Sequence, residues 1–328
     1  MIKSDVVIIG TGNIAFKHAL IIKKLYPNKI LCLYNYRKKK FNKKNIEENK
    51  ILKNFDYVVN DGTKITPKDS MSFVIVASPA NYHIKHSLFF AKKRFHILVE
   101  KPLTTNKTLL NSFLSEFKKN NFIFHVGYNM RFLTSIIMMK KIIETKKYGD
   151  IVHANITAFS NFINWRPNKN YKTTVSALRD LGGGVVNELS HEIDYMIHLF
   201  GFPYKSISRI MYNKEYKFDA EDSCNSRFLY KKFKVNLFLN MLSSFEKRTC
   251  FVKFKNASVL MDIQKNIIQI YKKEKIHKVY SLNHTMEDTY TKQIKYFIKK
   301  IKNKKYNLHE IENSIILSKM LNNIRSIN

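Results

Sequence analysis

A lysine at the end of an apolar run is the first side chain of this sequence that could do chemistry. Lys101 follows His96–Val99, and Pro102 follows Lys101. Because proline has no N–H to donate, we expect the strand to end at this point. A lysine ammonium can hold a substrate hydroxyl and favour its alkoxide, or polarise a carbonyl in the reverse reaction. Lys101 is therefore a candidate catalytic and substrate-binding residue, with one surface lysine among many as the alternative.

A histidine and an aspartate three residues apart form a second candidate group, in which both are predicted to be catalytic and the histidine also to bind substrate. His191 and Asp194 share a neighbouring face in the first half of a predicted helix. Apolar residues at helical spacing predict this helix, namely Val185, Leu189, Ile193, Met196, Ile197 and Phe200. A histidine changes charge near neutral pH, so His191 can carry the proton that an alcohol loses on oxidation. Asp194 would orient the substrate or bond to the backbone, and a structural His191 is the alternative.

Oxidation of an alcohol also needs a hydride acceptor, and the N-terminal residues predict where one binds. Val6–Ile9 is typical of a strand buried on both faces, and a glycine turn and a helical pattern follow at once. Gly10 permits a tight turn, and Gly12 leaves space for a pyrophosphate at the helix N-terminus. The predicted nicotinamide dinucleotide site therefore includes Gly10, Gly12, Asn13 and Ile14. An ordinary tight turn is the alternative.

The residues after the second apolar run bear on the choice between NAD and NADP. The run 30–34 leads into Asn35, Tyr36 and Arg37, without the carboxylate that would bind a ribose 2′-hydroxyl. A missing carboxylate with a nearby arginine suits a 2′-phosphate, so Arg37 favours NADP. The alternative is that Arg37 is one of many basic residues.

Two further apolar runs end in polar segments at the predicted cofactor crevice. Ligands of open parallel sheets bind at the carboxyl ends of the strands. After the run 73–77 we therefore predict four cofactor-binding residues, Ser78, Pro79, Asn81 and His83. Glu100 and Lys101, after the next run, complete this predicted set.

Five segments of the chain, in this order, resemble the Gfo/Idh/MocA oxidoreductases, named after glucose–fructose oxidoreductase and inositol dehydrogenase. They are the Gly10–Ala15 turn, Ser78-Pro79 with His83, Glu100-Lys101-Pro102, Gly127-Tyr128-Asn129 with Arg131-Phe132, and Gly182-Gly183-Gly184 with His191, Asp194 and Leu199-Phe200-Gly201. The resemblance implies an α/β protein whose N-terminal NAD(P)-binding Rossmann domain, at residues 1–126, has a doubly wound parallel sheet. It implies a C-terminal α+β domain at 127–328, with a large, mostly antiparallel open sheet that covers the active site and often packs against another subunit. A homo-oligomer follows as an expectation.

The residue pattern of the second half agrees with such a domain. Strands are predicted at 235–241, 249–254, 257–262 and 267–271. Amphipathic helices are predicted at 290–301 and 308–324, and we expect the last of them to return to the body of the fold.

A narrower resemblance adds substrate-binding candidates. It lies in Asn164-Trp165-Arg166-Pro167, Tyr171, Ser176-Ala177 and the segment 181–194, which look like a branch associated with bacterial surface-polysaccharide and nonulosonate sugar pathways. Trp165 and Arg166 would line a sugar and phosphate pocket by stacking and paired hydrogen bonds, or else anchor a surface loop. Asn129 and Arg131 are further candidates, with a structural role as the alternative.

Asn187 departs from the family pattern. Many relatives have Asp one helical turn before the histidine, whereas here Asn187 precedes Glu188. An amide cannot accept a proton or stabilise an imidazolium by charge, so the substitution points to altered or lost activity. Asn187 is nevertheless retained as a substrate-binding candidate.

Composition limits the function classes. The formal charge is +33, but the lysines lie along the whole chain and no nucleic-acid-binding motif is present, so we expect no nucleic-acid partner. No apolar run reaches the ~18 residues of a membrane span, and a strand so near Met1 leaves no room for a signal peptide. Cys32, Cys224 and Cys250 fit no metal or disulfide spacing. We therefore expect a cytoplasmic protein without a membrane partner or a metal site.

These residues lead to one main hypothesis. The chain is expected to be an NAD(P)-dependent oxidoreductase that transfers a hydride between nicotinamide and a hydroxyl or carbonyl of a sugar or nucleotide sugar, in bacterial surface-glycan biosynthesis. Two alternatives stay open. Asn187 favours a cofactor-binding regulator or partner subunit without turnover, and a lyase or epimerase would use the nicotinamide transiently.

Overall fold

The computed structural model describes residues 1–41, 49, 51–105, 108–120, 122–166, 170–216 and 218–326, and the chain divides into two compact units. Unit 1 comprises Met1–Gly127 and Tyr290–Lys319. Unit 2 comprises Tyr128–Thr289 and Met320–Asn328. The chain thus returns to unit 1 after it has built most of unit 2, and each unit has a large sheet of its own.

Unit 1 is built on a parallel sheet. Its described strands are β2 (Val6–Ile9), β3 (Leu31–Tyr34), β4 (Tyr57–Val59), β6 (Phe73–Val76), β7 (His96–Val99) and β8 (Phe124–Val126). Their order is β4-β3-β2-β6-β7-β8, and the described pairs are all parallel. Every residue of β2 and β6 is buried, which explains why these strands are continuous apolar runs. The predicted doubly wound parallel sheet is confirmed.

Helices α1 (Asn13–Leu25), α2 (His83–Lys92) and α3 (Leu110–Asn120) connect these strands. Such crossover helices are what joins parallel neighbours in an α/β sheet. A separate short parallel pair is formed by β1 (Ile2–Ser4) and β5 (Ile65–Pro67).

Unit 2 is built on a larger sheet with eight strands in the described part of the chain. They are β9 (Ile151–Asn161), β10 (Lys205–Met211), β11 (Ser223–Leu229), β12 (Lys234–Asn240), β13 (Leu242–Phe254), β14 (Ser258–Asp262), β15 (Ile267–Lys272) and β16 (Lys275–Ser281). The order is β10-β11-β12-β9-β13-β14-β15-β16, and only β12 with β9 is a parallel pair among them. Along β9 every second residue from Ala154 to Ser160 is buried, as expected of a sheet with one covered face. The predicted mostly antiparallel open sheet is confirmed.

The helices of unit 2 correct one prediction. They are α4 (Thr134–Glu144), α5 (Val185–Glu188) and α6 (Ser190–Phe200). The single helix predicted from Val185 to Phe200 is wrong, because Leu189, with φ −99° and ψ 29°, breaks it into α5 and α6. His191 is consequently the second residue of a new helix rather than a mid-helix residue.

The sequence predictions also missed strands β9, β10, β11 and β16. Strand β9 alternates apolar residues with His153, Asn155 and Thr157, and β16 is a mostly exposed edge strand that carries lysines. Edge strands are commonly charged because charge discourages further pairing, so their apolar signal is weak.

The two last helices, α7 (Met286–Lys302) and α8 (Leu308–Arg325), complete the fold. From Tyr290 onward α7 belongs to unit 1, where Ile294, Phe297, Ile298 and Ile301 join the core under the parallel sheet. The Phe297 ring packs edge-on against Phe73 of β6, with ring centroids 5.5 Å apart. This packing explains why residues so distant in sequence are part of unit 1.

A buried polar cluster ties α8 to the same unit. Glu310 in the first turn of α8 lies 2.7 Å from Nδ1 of His125 on β8 and also accepts a hydrogen bond from Lys300 of α7. Burial by itself would raise the pKa of Glu310, but His125 and Lys300 outweigh it and bring that pKa to about 2. Three elements of unit 1 therefore meet at one ionised carboxylate.

We predict that Glu310→Gln destabilises the protein by about 2–4 kcal/mol at neutral pH. The folded-state pKa of Glu310 lies below its ordinary value of 4.5, so its contribution is present above pH 4.5 and is lost as the pH falls towards 2. Urea unfolding at several pH values measures this, with Glu312→Gln on the same helix as the control. A stability difference that stays constant from pH 6 to pH 2 would contradict the prediction.

Candidate active site

Gly10 lies where the end of β2 meets the end of β6. Its φ is +121°, and a Cβ on it would lie 2.4 Å from the carbonyl oxygen of Ala77, the residue after β6. No other residue type fits. A side chain would overlap the Ala77 backbone, and a residue with a Cβ would be strained at this positive φ. The glycine therefore lets two adjacent strand ends pack directly against each other.

The turn continues into the exposed N-terminus of α1. No side chain caps the helix at Gly12, and a Cβ there would meet nothing within 4 Å. Asn13 and Ile14 follow in the exposed first turn. First-turn N–H groups have no partner within a helix, and the helix dipole favours negative charge beside them. The predicted residues Gly10, Gly12, Asn13 and Ile14 thus form an open turn that fits a dinucleotide pyrophosphate.

Asn35 directly follows β3, where the sequence lacks a ribose-binding carboxylate. Its Nδ2 donates to the Lys39 carbonyl and to Oδ1 of Asn60, each at 2.9 Å, and its Oδ1 accepts from the Lys39 N–H at 3.0 Å. The buried Asn35 thereby shapes the loop 35–39. Arg37 is exposed in this loop, with its guanidinium 5.5 Å from the centre of the Tyr36 ring. A phosphate approaching from solvent can therefore reach Arg37.

Two histidines brace the segment that follows β6. The buried His83 has Nε2 2.7 Å from the Ser78 carbonyl oxygen and Nδ1 2.8 Å from that of Pro102. Burial lowers the pKa of His83, and the two carbonyls oppose that shift. Ser78 Oγ lies 2.9 Å from Nδ1 of His86, whose burial lowers its pKa to about 4. Ser78 and His83 thus fix the loops after β6 and β7 to each other.

Asn81 is the predicted residue of this segment that offers an acceptor. Pro79 precedes the short turn Ala80–Tyr82 that carries it. The Oδ1 atom of Asn81 is buried and accepts no hydrogen bond from the described residues. A buried acceptor without a donor is unfavourable, so a hydroxyl or amide of a bound ligand fits this position.

Glu100, directly after β7, is bonded to α1. Its Oε1 lies 2.7 Å from Nε2 of the fully buried His18, and the ring of Tyr290 packs edge-on against His18 with centroids 5.6 Å apart. Glu100 was predicted to bind the cofactor, whereas His18 was assigned no role. The pair links α1 to the segment that carries Lys101. A histidine beside Ala19 and Ile22 on the apolar face of a predicted helix was the signal available for it.

Lys101 is half-buried, and its peptide bond to Pro102 is cis. It lies two residues beyond Val99, the last residue of β7. Because β2, β6 and β7 are parallel neighbours, Lys101, Gly10 and Ser78 all lie at the carboxyl edge of one sheet. Unit 1 thus brings the candidate catalytic lysine and the predicted cofactor residues to the same edge.

In unit 2, His191 is half-buried at the start of α6. Its ring stands edge-on to Tyr128, with centroids 5.8 Å apart and an interplanar angle of 86°. Burial raises the pKa of the Tyr128 phenol, so this ring is a neutral packing surface for the imidazole.

Asp194 and Arg131 form a bidentate pair. Arg131 donates from Nε to Oδ2 of Asp194 at 2.8 Å and from Nη2 to Oδ1 at 2.6 Å. The Asp194 side chain is 1% exposed and that of Arg131 33%. Asp194 was predicted as catalytic and Arg131 as substrate-binding. In this geometry the aspartate holds the guanidinium and ties α6 to the turn Asn129–Phe132, and the two predicted roles stay predictions.

The two asparagine candidates are buried. Asn187 donates from Nδ2 to the Gly182 carbonyl at 3.0 Å. The backbone carbonyl of Asn187 accepts from Ser190 Oγ at 2.8 Å. A carboxylate at 187 has no hydrogen for Gly182, so the departure from the family pattern suits this contact. Asn129 donates from Nδ2 to Thr289 Oγ1 at 2.6 Å, while its buried Oδ1 accepts no hydrogen bond within the described residues.

Trp165 and Arg166 are both half-buried and anchored to different partners. Trp165 Nε1 donates to Ser160 Oγ at 2.7 Å, and Ser160 Oγ donates to Glu246 at 2.6 Å. Arg166 Nη1 donates to Ser176 Oγ at 3.3 Å. Pro167, the last residue of this motif, lies outside the described residues. The predicted stacking and phosphate-binding roles stay predictions.

The described ranges contain no helix with the length and hydropathy of a membrane span. No group of three histidine, cysteine or acidic residues in them could hold a metal ion.

Individual relatives are distant in sequence. Glucose-6-phosphate 3-dehydrogenase from Bacillus subtilis is 25% identical, over 72% of this chain and 66% of its own length. The scyllo-inositol 2-dehydrogenase (NADP(+)) of the same organism is 25% identical, over 48% of this chain and 43% of its own length. The chain thus spans less than two thirds of these curated relatives.

The fold is shared with a solved structure. A levoglucosan dehydrogenase in complex with NADH and levoglucosan superposes with a TM-score of 0.81, over 99% of this chain and 96% of that one, at 14% identity. At this identity the likeness is one of fold.

Two family models match the chain in succession. The model described as "Oxidoreductase family, NAD-binding Rossmann fold" matches residues 4–128, and the one described as "GFO/IDH/MocA C-terminal domain" matches residues 136–259. The first match contains the glycine turn and the Glu100-Lys101-Pro102 segment, and the second contains His191 and Asp194. Since both domains of the family are matched in order, this chain belongs to the Gfo/Idh/MocA oxidoreductases.

Proposed function

We propose that this protein is an NAD(P)-dependent oxidoreductase that transfers a hydride between nicotinamide and a hydroxyl or carbonyl of a sugar or nucleotide sugar. The observation that carries the proposal is the carboxyl edge of the parallel sheet of unit 1. There an open glycine turn at a helix N-terminus and a half-buried lysine follow neighbouring strands. The first suits a dinucleotide, and the second suits the oxygen of a reacting alcohol.

The substrate class is supported by the names of relatives. Two relatives that are 25% identical to this chain are named for glucose 6-phosphate and for scyllo-inositol. The narrower sequence resemblance around Trp165 and 181–194 supports a place in bacterial surface-glycan biosynthesis, in the cytoplasm. A cofactor-binding protein without turnover is the alternative that Asn187 favours. The amide of Asn187 cannot accept a proton, and it donates to the carbonyl of Gly182.

The cofactor residues divide into those that would touch NAD(P) and those that would hold the touching segments. Gly12, Asn13 and Ile14 would receive the pyrophosphate, and Asn81 would accept a hydrogen bond from the ligand. The second group is Ser78, His83 and Glu100, whose side chains are bonded to His86, to two backbone carbonyls and to His18 respectively. When bound, the nicotinamide supplies the hydride acceptor or donor.

Two residues would handle the reacting hydroxyl. Lys101 would hold its oxygen and favour the alkoxide by charge, and His191 would take its proton. In the reverse direction Lys101 would polarise the carbonyl and His191 would return the proton. Asp194 would support this chemistry indirectly, because it fixes Arg131 and α6. Arg131, Trp165 and Arg166 remain candidates for substrate contacts.

We also propose that the protein forms a homo-oligomer through the outer face of the sheet in unit 2. Three phenylalanines cluster there: Phe159 has its ring centre 5.2 Å from that of Phe238 and 5.7 Å from that of Phe245. Phe238 and Phe245 are 37% and 57% exposed. Contiguous exposed aromatic side chains are typical of surfaces that bind a partner.

Arg37 gives a test of cofactor choice. We expect NADPH to bind at least about tenfold more tightly than NADH, a difference of about 1.4 kcal/mol, and Arg37→Ala to abolish the difference by removing the charge that meets the 2′-phosphate. Fluorescence titration at moderate salt measures both affinities, since low salt would exaggerate any attraction to a basic protein. Lys40→Ala, an exposed residue three positions away, is the control. Equal affinities of the wild type for NADH and NADPH would overturn the preference, and binding of neither would remove the enzyme proposal.

Lys101→Met tests the chemistry. The methionine fills similar volume without charge, so we expect turnover of sugar substrates to fall at least about a hundredfold while cofactor affinity stays nearly intact. The assay is the absorbance of the reduced nicotinamide across a panel of sugars, sugar phosphates, inositols and nucleotide sugars. Lys92→Met, an exposed lysine of the same unit, should behave as the wild type. Turnover near the wild-type rate in Lys101→Met would refute this role.

Phe245→Lys tests the outer face. A charge among the three phenylalanines should favour the monomer, because it would be desolvated on association. Sedimentation velocity at micromolar concentration should show an oligomer for the wild type and a lighter species for the variant. Tyr306→Lys, an exposed aromatic residue of unit 1, should leave the oligomer intact. A monomeric wild type would contradict the proposal.

A further inference from the structure

The glycine segment Gly182-Gly183-Gly184, which precedes His191, packs closely between the backbone at Val175 and the side chain of Glu221. A Cβ on Gly183 would lie 2.3 Å from the carbonyl oxygen of Val175, and one on Gly184 would lie 2.4 Å from the carboxylate of Glu221. Gly184 also has φ +103°, and its N–H donates to the Ser176 carbonyl at 3.0 Å. Only glycine fits either position, so the path of this backbone is fixed by the groups on both of its sides.

Glu221 is the group on one of those sides, and it is held by Arg325. Glu221 is fully buried, and Arg325, the last residue of α8, is 7% exposed. Arg325 donates from Nε to Oε1 of Glu221 at 2.9 Å and from Nη2 to the carbonyl of Gly183 at 2.8 Å. The guanidinium of Arg325 thus binds both the carboxylate of Glu221, which lies against Gly184, and the carbonyl of Gly183.

Hydrogen bonds also hold both ends of the segment 179–185. The Arg325 carbonyl accepts from Nη2 of Arg179 at 3.0 Å, and the backbone N–H of Arg179 donates to Asp219 at 2.9 Å. On the other side, the Val185 N–H donates to the Glu221 carbonyl at 2.8 Å, where α5 begins. The segment 179–185 is therefore fastened before, within and after its three glycines.

A displacement of these glycines would be passed on to His191. Asn187 in α5 donates to the carbonyl of Gly182, and Ser190 at the start of α6 donates to the carbonyl of Asn187. His191 is the next residue. Arg325 is thus connected to His191 through the glycines, Asn187 and Ser190. Each of these links is either a hydrogen bond or a peptide bond between adjacent residues.

Stability alone does not account for a buried ion pair of this kind. Replacing such a pair by apolar side chains is often neutral or stabilising, because both charges lose their water. The guanidinium of Arg325 donates from two nitrogens that are held in one plane at a fixed separation, and the single ammonium nitrogen of a lysine does not reproduce that arrangement. The geometry therefore points to a requirement for the position of the backbone.

We propose that Arg325 is a positioning residue that, through Glu221 and the glycine segment, sets the place of His191 for the reaction. The inference rests on the proposed function, in which His191 moves the proton of the reacting hydroxyl. It assigns Arg325 no contact with substrate or cofactor.

The experiment compares Arg325→Lys, Arg325→Met and Glu221→Gln with Lys319→Met, an exposed lysine on the same helix. Turnover and KM are measured on whichever sugar of the panel the wild type converts, together with the pH dependence of turnover and the affinity for NADPH. Hydrogen–deuterium exchange of peptides covering 175–191 reports on the segment itself.

We expect kcat to fall about tenfold in Arg325→Lys and up to about a hundredfold in Arg325→Met, the scale of loss that a misplaced catalytic group produces. The pH profile of turnover should change, NADPH affinity should stay unchanged, and faster exchange should be confined to 175–191. Lys319→Met should match the wild type in every respect. If Arg325→Met does not fold, Arg325→Lys and Glu221→Gln still decide.

Unchanged kcat and pH profile per folded molecule, with only a lower melting temperature, would overturn the proposal and leave the pair a structural one. Wild-type exchange rates in 175–191 of Arg325→Lys would overturn it as well. If the wild type converts no sugar, the proposed function fails by itself. The exchange data then decide whether Arg325 holds the segment.

Discussion

The close packing of two strand ends at Gly10 is the constraint on which unit 1 depends. Only a glycine leaves room for the Ala77 carbonyl, so the loops after β2 and β6 pack closely where these parallel neighbours end. His83 then holds the loop after β6 to the one after β7, and Glu100 holds the latter to α1 through His18. The half-buried Lys101 therefore lies in a loop that is hydrogen-bonded both to the loop after β6 and to α1.

In unit 2 three candidate residues are positioned by side-chain contacts around a helix. These are His191, Asp194 and Arg131, none of which directly follows a parallel strand. Tyr128 packs on His191 in the first turn of α6, and Asp194 of the same helix holds Arg131. Buried polar groups of this kind are costly unless they are fully bonded, so they fix one arrangement at the expense of others. Asp194, which the sequence nominates as catalytic, thus also holds the neighbouring side chain of Arg131.

What the sequence could predict follows from which interactions are local. The continuous apolar strands and the glycine turn of unit 1 are local patterns, and both were found as predicted. The His18–Glu100 and Arg131–Asp194 pairs join residues 82 and 63 positions apart, and no local pattern reveals such a pairing. The break at Leu189 was missed for a related reason, since the apolar spacing of Val185 to Phe200 continues through it. The strand β9 was missed because half of its residues are polar.

The lysines and arginines that make this chain so basic have a particular consequence at the two free edges of the large sheet. Among the described residues the outermost strands are β10 and β16, and an edge strand offers backbone groups that could accept a strand from another molecule. Exposed cations stand on both, Lys205 and Arg209 on β10, and Lys275 and Lys278 on β16. Two such edges brought together would place like charges side by side. A composition that carries no information about the reaction thereby protects an open eight-stranded sheet from aggregation by strand addition.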